Sequence, residues 1–72
     1  MNYLYEGALS HQILFYSYSY KWESKPTRES FARDFIMEEL SIAPEKIPSA
    51  ILQTVVRAVA NVMPADRFTT PI

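Results

Sequence analysis

The sequence predicts a small α+β domain in which a short N-terminal β-ribbon is followed by two α-helices. Three observations predict it. Apolar residues recur at helical spacing in the segments 28–40 and 49–63, and aromatic residues alternate with polar ones before residue 24. The sequence leaves one alternative open, an all-α bundle of three helices, because the first segment also fits a helix.

The N-terminal ribbon is predicted over residues 1–24. Asn2 to Tyr5 fits a short first strand, and the residues around Gly7 fit a connecting turn. A second strand follows from large residues at every other position, a pattern that suits a pleated, half-buried surface and that only Phe15 breaks. These large residues are Leu14, Tyr16, Tyr18, Tyr20 and Trp22. If the stretch is a helix instead, one face carries Tyr5, Leu9, Ile13, Tyr16 and Tyr20.

The segment 28–40 is predicted to be the first of the two later helices. Thr27 can cap it, because its hydroxyl group can accept a hydrogen bond from the first turn. The apolar residues that follow are three or four positions apart. They are Phe31, Ala32, Phe35, Ile36 and Leu40. Pro44 and Pro48 then interrupt the helical pattern.

The segment 49–63 has the clearest helical pattern in the chain. Pro48 suits a helix start, and Pro64 cannot continue a helix. The apolar residues of this segment cover an arc of roughly 200°. They are Ile51, Leu52, Val55, Val56, Ala58, Val59, Ala60, Val62 and Met63. So wide an arc needs several neighbours, which come either from the same chain or from a second copy.

The chain of 72 residues predicts one small domain, with residues 65–72 as a flexible tail. A domain of this size buries only about 60% of the surface that its unfolded chain exposes. It contains no cysteine, so neither a disulfide nor a thiolate metal site can add stability. Because 49% of its residues are hydrophobic, we expect the chain to cover the remaining apolar surface by forming a homodimer.

Charge and hydrophobicity restrict the partners and the location. The net charge is −1, from seven basic and eight acidic residues, so no strong field attracts nucleic acid or anionic lipid. The sequence has neither an apolar run of about 18 residues nor the pattern of a secretory signal. We therefore expect a cytoplasmic protein that does not bind a membrane, and the lack of cysteine fits a reducing compartment.

The residues offer little for catalysis. His11 is the only histidine, and a single glycine excludes a glycine-rich phosphate loop. Glu38 and Glu39 are adjacent, so on a helix they point about 100° apart and do not converge on one site. We predict that the protein is not an enzyme and has no cofactor, metal ion or catalytic residue.

The run of aromatic residues predicts a protein-binding surface. Tyrosine and tryptophan provide large, rigid contact areas and are enriched where binding energy is concentrated. We therefore predict a small regulatory or adaptor protein that binds another protein, a second copy of itself, or both. The predicted contact residues are Tyr16, Tyr18, Tyr20 and Trp22 as anchors, with Arg28 and Arg33 at the polar rim.

The order of a strand over 16–22 and helices over 28–40 and 49–63 resembles the layout of the ribbon-helix-helix repressors. In that family two subunits pair one strand each, and outward side chains of the ribbon read the major groove of DNA. The resemblance implies that Ser17, Ser19 and Lys21 face DNA, with a phosphate near Ser49. A DNA-binding transcriptional regulator is the alternative function. It comes second because phosphate contacts dominate DNA affinity, and this ribbon has one cation per subunit.

Overall fold

A computed structural model describes residues 6–70 and contains three α-helices. They are α1 (Glu6–Ser19), α2 (Arg28–Leu40) and α3 (Ser49–Val62), with short 3-10 turns at Pro44–Lys46 and Ala65–Arg67. Residues 6–70 contain no strand. The predicted α+β fold is therefore wrong, and the all-α three-helix bundle is the alternative that fits. The proposed first strand, 2–5, lies outside the described residues.

The predicted second strand is wrong because α1 continues through it to Ser19. Leu9, Ile13 and Ser17 lie four positions apart and are all buried, so one row of α1 faces the core. The hydroxyl of Ser17 donates to the carbonyl oxygen of Leu14, 2.7 Å away, which satisfies this polar group inside the bundle. The ribbon-helix-helix resemblance depended on that strand, so the structural basis for reading DNA with Ser17, Ser19 and Lys21 is lost.

Helix α2 has the bounds that its sequence predicts. The side chain of Thr27 accepts a hydrogen bond from the backbone N–H of Ser30 at 3.0 Å, so the expected cap is present. Ser41 ends the helix with a left-handed backbone, at φ 56°. The buried side chains of α2 are Phe31, Ala32, Phe35 and Ile36.

Helix α3 begins at Ser49, directly after Pro48, and ends one residue earlier than predicted. Met63 lies just outside it, and its backbone N–H donates to the carbonyl oxygen of Val59 at 2.9 Å. Both α1 and α2 pack on α3, which explains why its apolar arc is so wide. The side chains of Val55, Ala58 and Val59 are buried between them.

The segment 65–72, which we expected to be a flexible tail, makes defined contacts with the bundle over its described part. Phe68 follows the turn Ala65–Arg67 and joins the hydrophobic core. Thr69 then bonds back to the loop before α2, because its N–H donates to the carbonyl oxygen of Pro26 at 2.8 Å. Its hydroxyl donates to the carbonyl oxygen of Lys25 at 2.9 Å. This segment therefore covers one end of the bundle.

Candidate protein-binding surface

The predicted aromatic anchors do not share one surface, because a helix turns residues two positions apart to different sides. Tyr16, Tyr20 and Trp22 are half-buried and pack against the core. Tyr18 is 78% exposed and points away from them. Only one of the four predicted anchors therefore offers most of its side chain to a partner.

The three inward aromatic residues surround Phe31 of α2. The centroid of the Phe31 ring lies 5.4 Å from that of Tyr16, 4.9 Å from that of Tyr20 and 5.3 Å from that of Trp22. Phe68 approaches the same ring at 5.5 Å. These separations lie within the range in which aromatic pairs add to the energy of burial. The cluster joins α1, α2 and the C-terminal segment, so its role is structural.

The phenols of Tyr16 and Tyr20 lie on the acidic side of α2. The hydroxyl of Tyr20 donates a hydrogen bond to the Asp34 carboxylate at 3.0 Å. Burial, and secondly the negative charge of Asp34, raise the pKa of Tyr16 above its ordinary value of 10.0. Burial and the hydrogen bond to Asp34 raise the pKa of Tyr20 in the same direction. The folded protein therefore favours the neutral form of both phenols.

We predict that the free energy of unfolding falls at alkaline pH and that Tyr16→Phe reduces this fall. A raised pKa in the folded state means that the stabilisation is complete below pH 10.0, the ordinary value for tyrosine, and is lost as the pH rises through the folded-state pKa. Urea unfolding of both proteins at neutral pH and above pH 10.0 measures the difference. Equal losses of stability in the two proteins would show that Tyr16 does not contribute.

The outward face of α1 carries the most exposed aromatic residues of the described chain. Phe15 is 63% exposed and Tyr18 is 78% exposed, and their ring centroids are 6.4 Å apart. The exposed imidazole of His11 lies 5.8 Å from the Phe15 ring, one turn earlier. These three residues follow one another along the helix. We call them the aromatic face.

The aromatic face lies on a segment without charged residues. No lysine, arginine, aspartate or glutamate occurs from Gly7 to Tyr20. Two copies of such a face can meet without like charges opposing each other across the contact. The face therefore combines exposed apolar area with a lack of electrostatic repulsion, and both favour pairing with an identical face.

Phe15, like His11, belongs to the aromatic face but was not predicted as a contact residue. It was the one residue that broke the alternation of the predicted strand, and this was the available signal for its position. In a helix, Phe15 lies roughly opposite Ile13, which is fully buried. Phe15, which did not fit the strand pattern, therefore lies on the outward face of the helix.

The two predicted rim residues, Arg28 and Arg33, lie on α2 and line one surface cleft of about 560 Å³. The guanidinium of Arg28 lies 5.7 Å from the centroid of the Phe68 ring, a cation–π contact. A nitrogen of the Arg33 guanidinium lies 3.2 Å from the carboxylate of Glu29, one turn earlier in α2. The structure therefore places these two arginines beside the same cleft on α2, whereas the aromatic face lies on α1.

The remaining candidates for chemistry, His11 and the two adjacent glutamates, lie apart on the surface of the described residues. Within 6–70, no group of three histidine, aspartate or glutamate side chains is placed to hold a metal ion. His11 is exposed and lies beside the ring of Phe15. Glu38 and Glu39 are both exposed on α2.

No protein-family model, curated protein or solved structure matches this chain. In the described part of the chain, no helix has both the length and the apolar character needed to cross a bilayer.

Proposed function

We propose that this chain is a small, non-enzymatic regulatory or adaptor protein of the cytoplasm that acts by binding proteins. Its first partner is a second copy of itself, and the two copies meet through the aromatic face of α1. One observation carries this proposal. Phe15 and Tyr18 lie side by side and expose 63% and 78% of their surface to solvent.

Exposed aromatic side chains in contact with one another are typical of protein interfaces. Phenylalanine and tyrosine are enriched there, and charged residues are depleted from the interface core. The segment Gly7 to Tyr20 has both properties. Burying Phe15 and Tyr18 would remove from water the two most exposed large apolar side chains of residues 7–70.

A twofold pair of α1 helices satisfies the geometry of this face. Phe15 lies between His11 and Tyr18 along the helix. When two copies pair antiparallel about an axis near Phe15, the two Phe15 rings pack on each other, and His11 of each copy faces Tyr18 of the other. The imidazole and the phenol can then share a hydrogen bond at each side of the apolar centre.

The size of α1 predicts a weak dimer. Its 14 residues span about 21 Å, which gives less contact than the ~800 Å² per partner of a standard interface. We therefore expect dissociation on the order of micromolar concentrations, with little dependence on salt because the face is uncharged.

Sedimentation equilibrium over the micromolar range tests this proposal. We expect the average mass to rise with concentration from that of one chain, 8.3 kDa, towards twice that value. The rise should be nearly the same at low and at high sodium chloride. The mass of a single chain at every concentration would contradict the dimer.

A further inference from the structure

Three of the four arginines of the chain lie around two adjoining clefts between α2 and α3. The first cleft, of about 560 Å³, is lined by Thr27, Arg28, Glu29, Ser30, Arg33 and Val56. The second, of about 370 Å³, is lined by Glu29, Ser49, Leu52, Gln53, Val56 and Arg57. Because the two clefts share Glu29 and Val56, they form one surface. We call it the arginine face and define it by Arg28, Arg33 and Arg57.

The arginine face is positive although the whole chain has a net charge of −1. Glu29 is the only acidic side chain that lines either cleft, against three guanidinium groups. The first residues of two helices, Arg28 of α2 and Ser49 of α3, also line the clefts. The first turn of α3 has no acidic residue and no side-chain cap, so its partial positive charge is not balanced locally.

Arg28 is the most firmly held cation of the arginine face. Its Nε is buried and has no hydrogen-bond acceptor among the described residues. An N–H group that loses water without gaining an acceptor raises the free energy of the folded state. Its contact with Phe68 holds the group in place, so its remaining donors are oriented before any partner arrives. Carboxylates match such a group, because a guanidinium can bind one with two parallel hydrogen bonds.

We infer that the arginine face binds an acidic segment of a partner protein through its aspartate or glutamate side chains. This inference rests on the proposed function, that the protein acts by binding proteins, and it adds a second partner to the self-pairing of α1. Half-buried Leu52 and Val56 give the clefts an apolar floor that suits side chains of a peptide. Among the described residues, no aromatic side chain on which a nucleic acid base could stack lines either cleft.

Chemical-shift titration with acetylated and amidated hexaglutamate at low ionic strength tests the inference. We expect the largest shifts at Arg28, Arg33, Arg57 and the first turn of α3, and none with hexaglutamine. Arg33→Gln and Arg57→Gln should each weaken binding by about two- to fivefold, as expected for exposed charge pairs. Glu29→Gln should strengthen it by a similar factor, because it removes the competing carboxylate.

Lys46→Gln is the matched control, since it changes the net charge as Arg57→Gln does but lies outside both clefts. It should leave hexaglutamate binding unchanged. The titration is repeated with the Phe15→Glu variant, in which we expect α1 pairing to be lost. Pairing then cannot affect the measured affinity for hexaglutamate. Equal effects of Lys46→Gln and Arg57→Gln, no hexaglutamate binding, or tighter binding of a thymidine hexanucleotide would each overturn the inference. None of these outcomes would alter the proposed dimer.

Discussion

Replacing Phe31 by alanine is expected to remove a large part of the stability of the fold, so that the variant unfolds at a much lower urea concentration than the native protein. Phe31 is fully buried, and its ring contacts four aromatic neighbours from α1, the following loop and the C-terminal segment. Loss of such a side chain costs about 3–5 kcal/mol. A chain of 72 residues has a total stability of roughly 4–11 kcal/mol, so this loss removes much or all of it.

Urea unfolding followed by circular dichroism measures this effect, and Met37→Ala is its matched control. Met37 also lies on α2 but is 38% exposed, so its replacement should cost much less than that of Phe31. If Phe31→Ala were no more destabilising than Met37→Ala, the aromatic cluster would not be the centre of the core.

Replacing Phe15 by glutamate is expected to convert the protein to a monomer while leaving the bundle folded. In a twofold pair, the substitution places one carboxylate from each copy close to the axis, and it removes the central apolar contact. We expect the dimer to dissociate at concentrations at least about tenfold higher. The free energy of unfolding of the monomer should change by no more than about 0.5 kcal/mol, because the position is exposed.

The matched control for this prediction is Ala60→Glu, which adds the same charge at an exposed position of α3. Size-exclusion chromatography with light scattering compares the masses of the two variants across concentrations. Ala60→Glu should dimerise as the native chain does. Equal dissociation in both variants would mean that added charge alone, and not the loss of Phe15, separates the copies.

Helices α2 and α3 could be predicted from the sequence because local and long-range signals agree there. Thr27 caps α2 as its side-chain chemistry suggests, and Pro48 and Pro64 flank α3 on either side. The apolar positions of both helices also have the helical period. Where the caps and the period agree, the element follows from the sequence alone.

Helix α1 was predicted only as the alternative to a strand, because apolar side chains lie on nearly all of its sides. Its buried row includes a serine, Ser17, whereas Phe15 is exposed, so the helical period is hidden in the sequence. Tyrosines at every other position also produce the two-residue period of a strand, although Tyr16 and Tyr18 lie on different sides of the helix. The deciding interactions are tertiary, namely the packing of Tyr16 and Tyr20 on Phe31 of α2.

The candidate contact residues could be predicted in part. The type of residue was informative, since tyrosine and arginine line the two proposed surfaces. The grouping of the aromatic residues could not be predicted, because it depends on which side of α1 each residue occupies. Arg57 was missed because it lies 24 positions after Arg33 and meets the same pair of clefts only when α3 packs on α2.

An isotope-filtered nuclear Overhauser spectrum of a mixture of labelled and unlabelled chains tests the central claim most directly. It detects only protons that approach one another across two copies. The proposed pairing predicts signals between the Phe15 rings of the two copies, and between His11 of one copy and Tyr18 of the other. Signals confined to α3, or no signals at concentrations where sedimentation shows a dimer, would contradict a dimer formed through the outward face of α1.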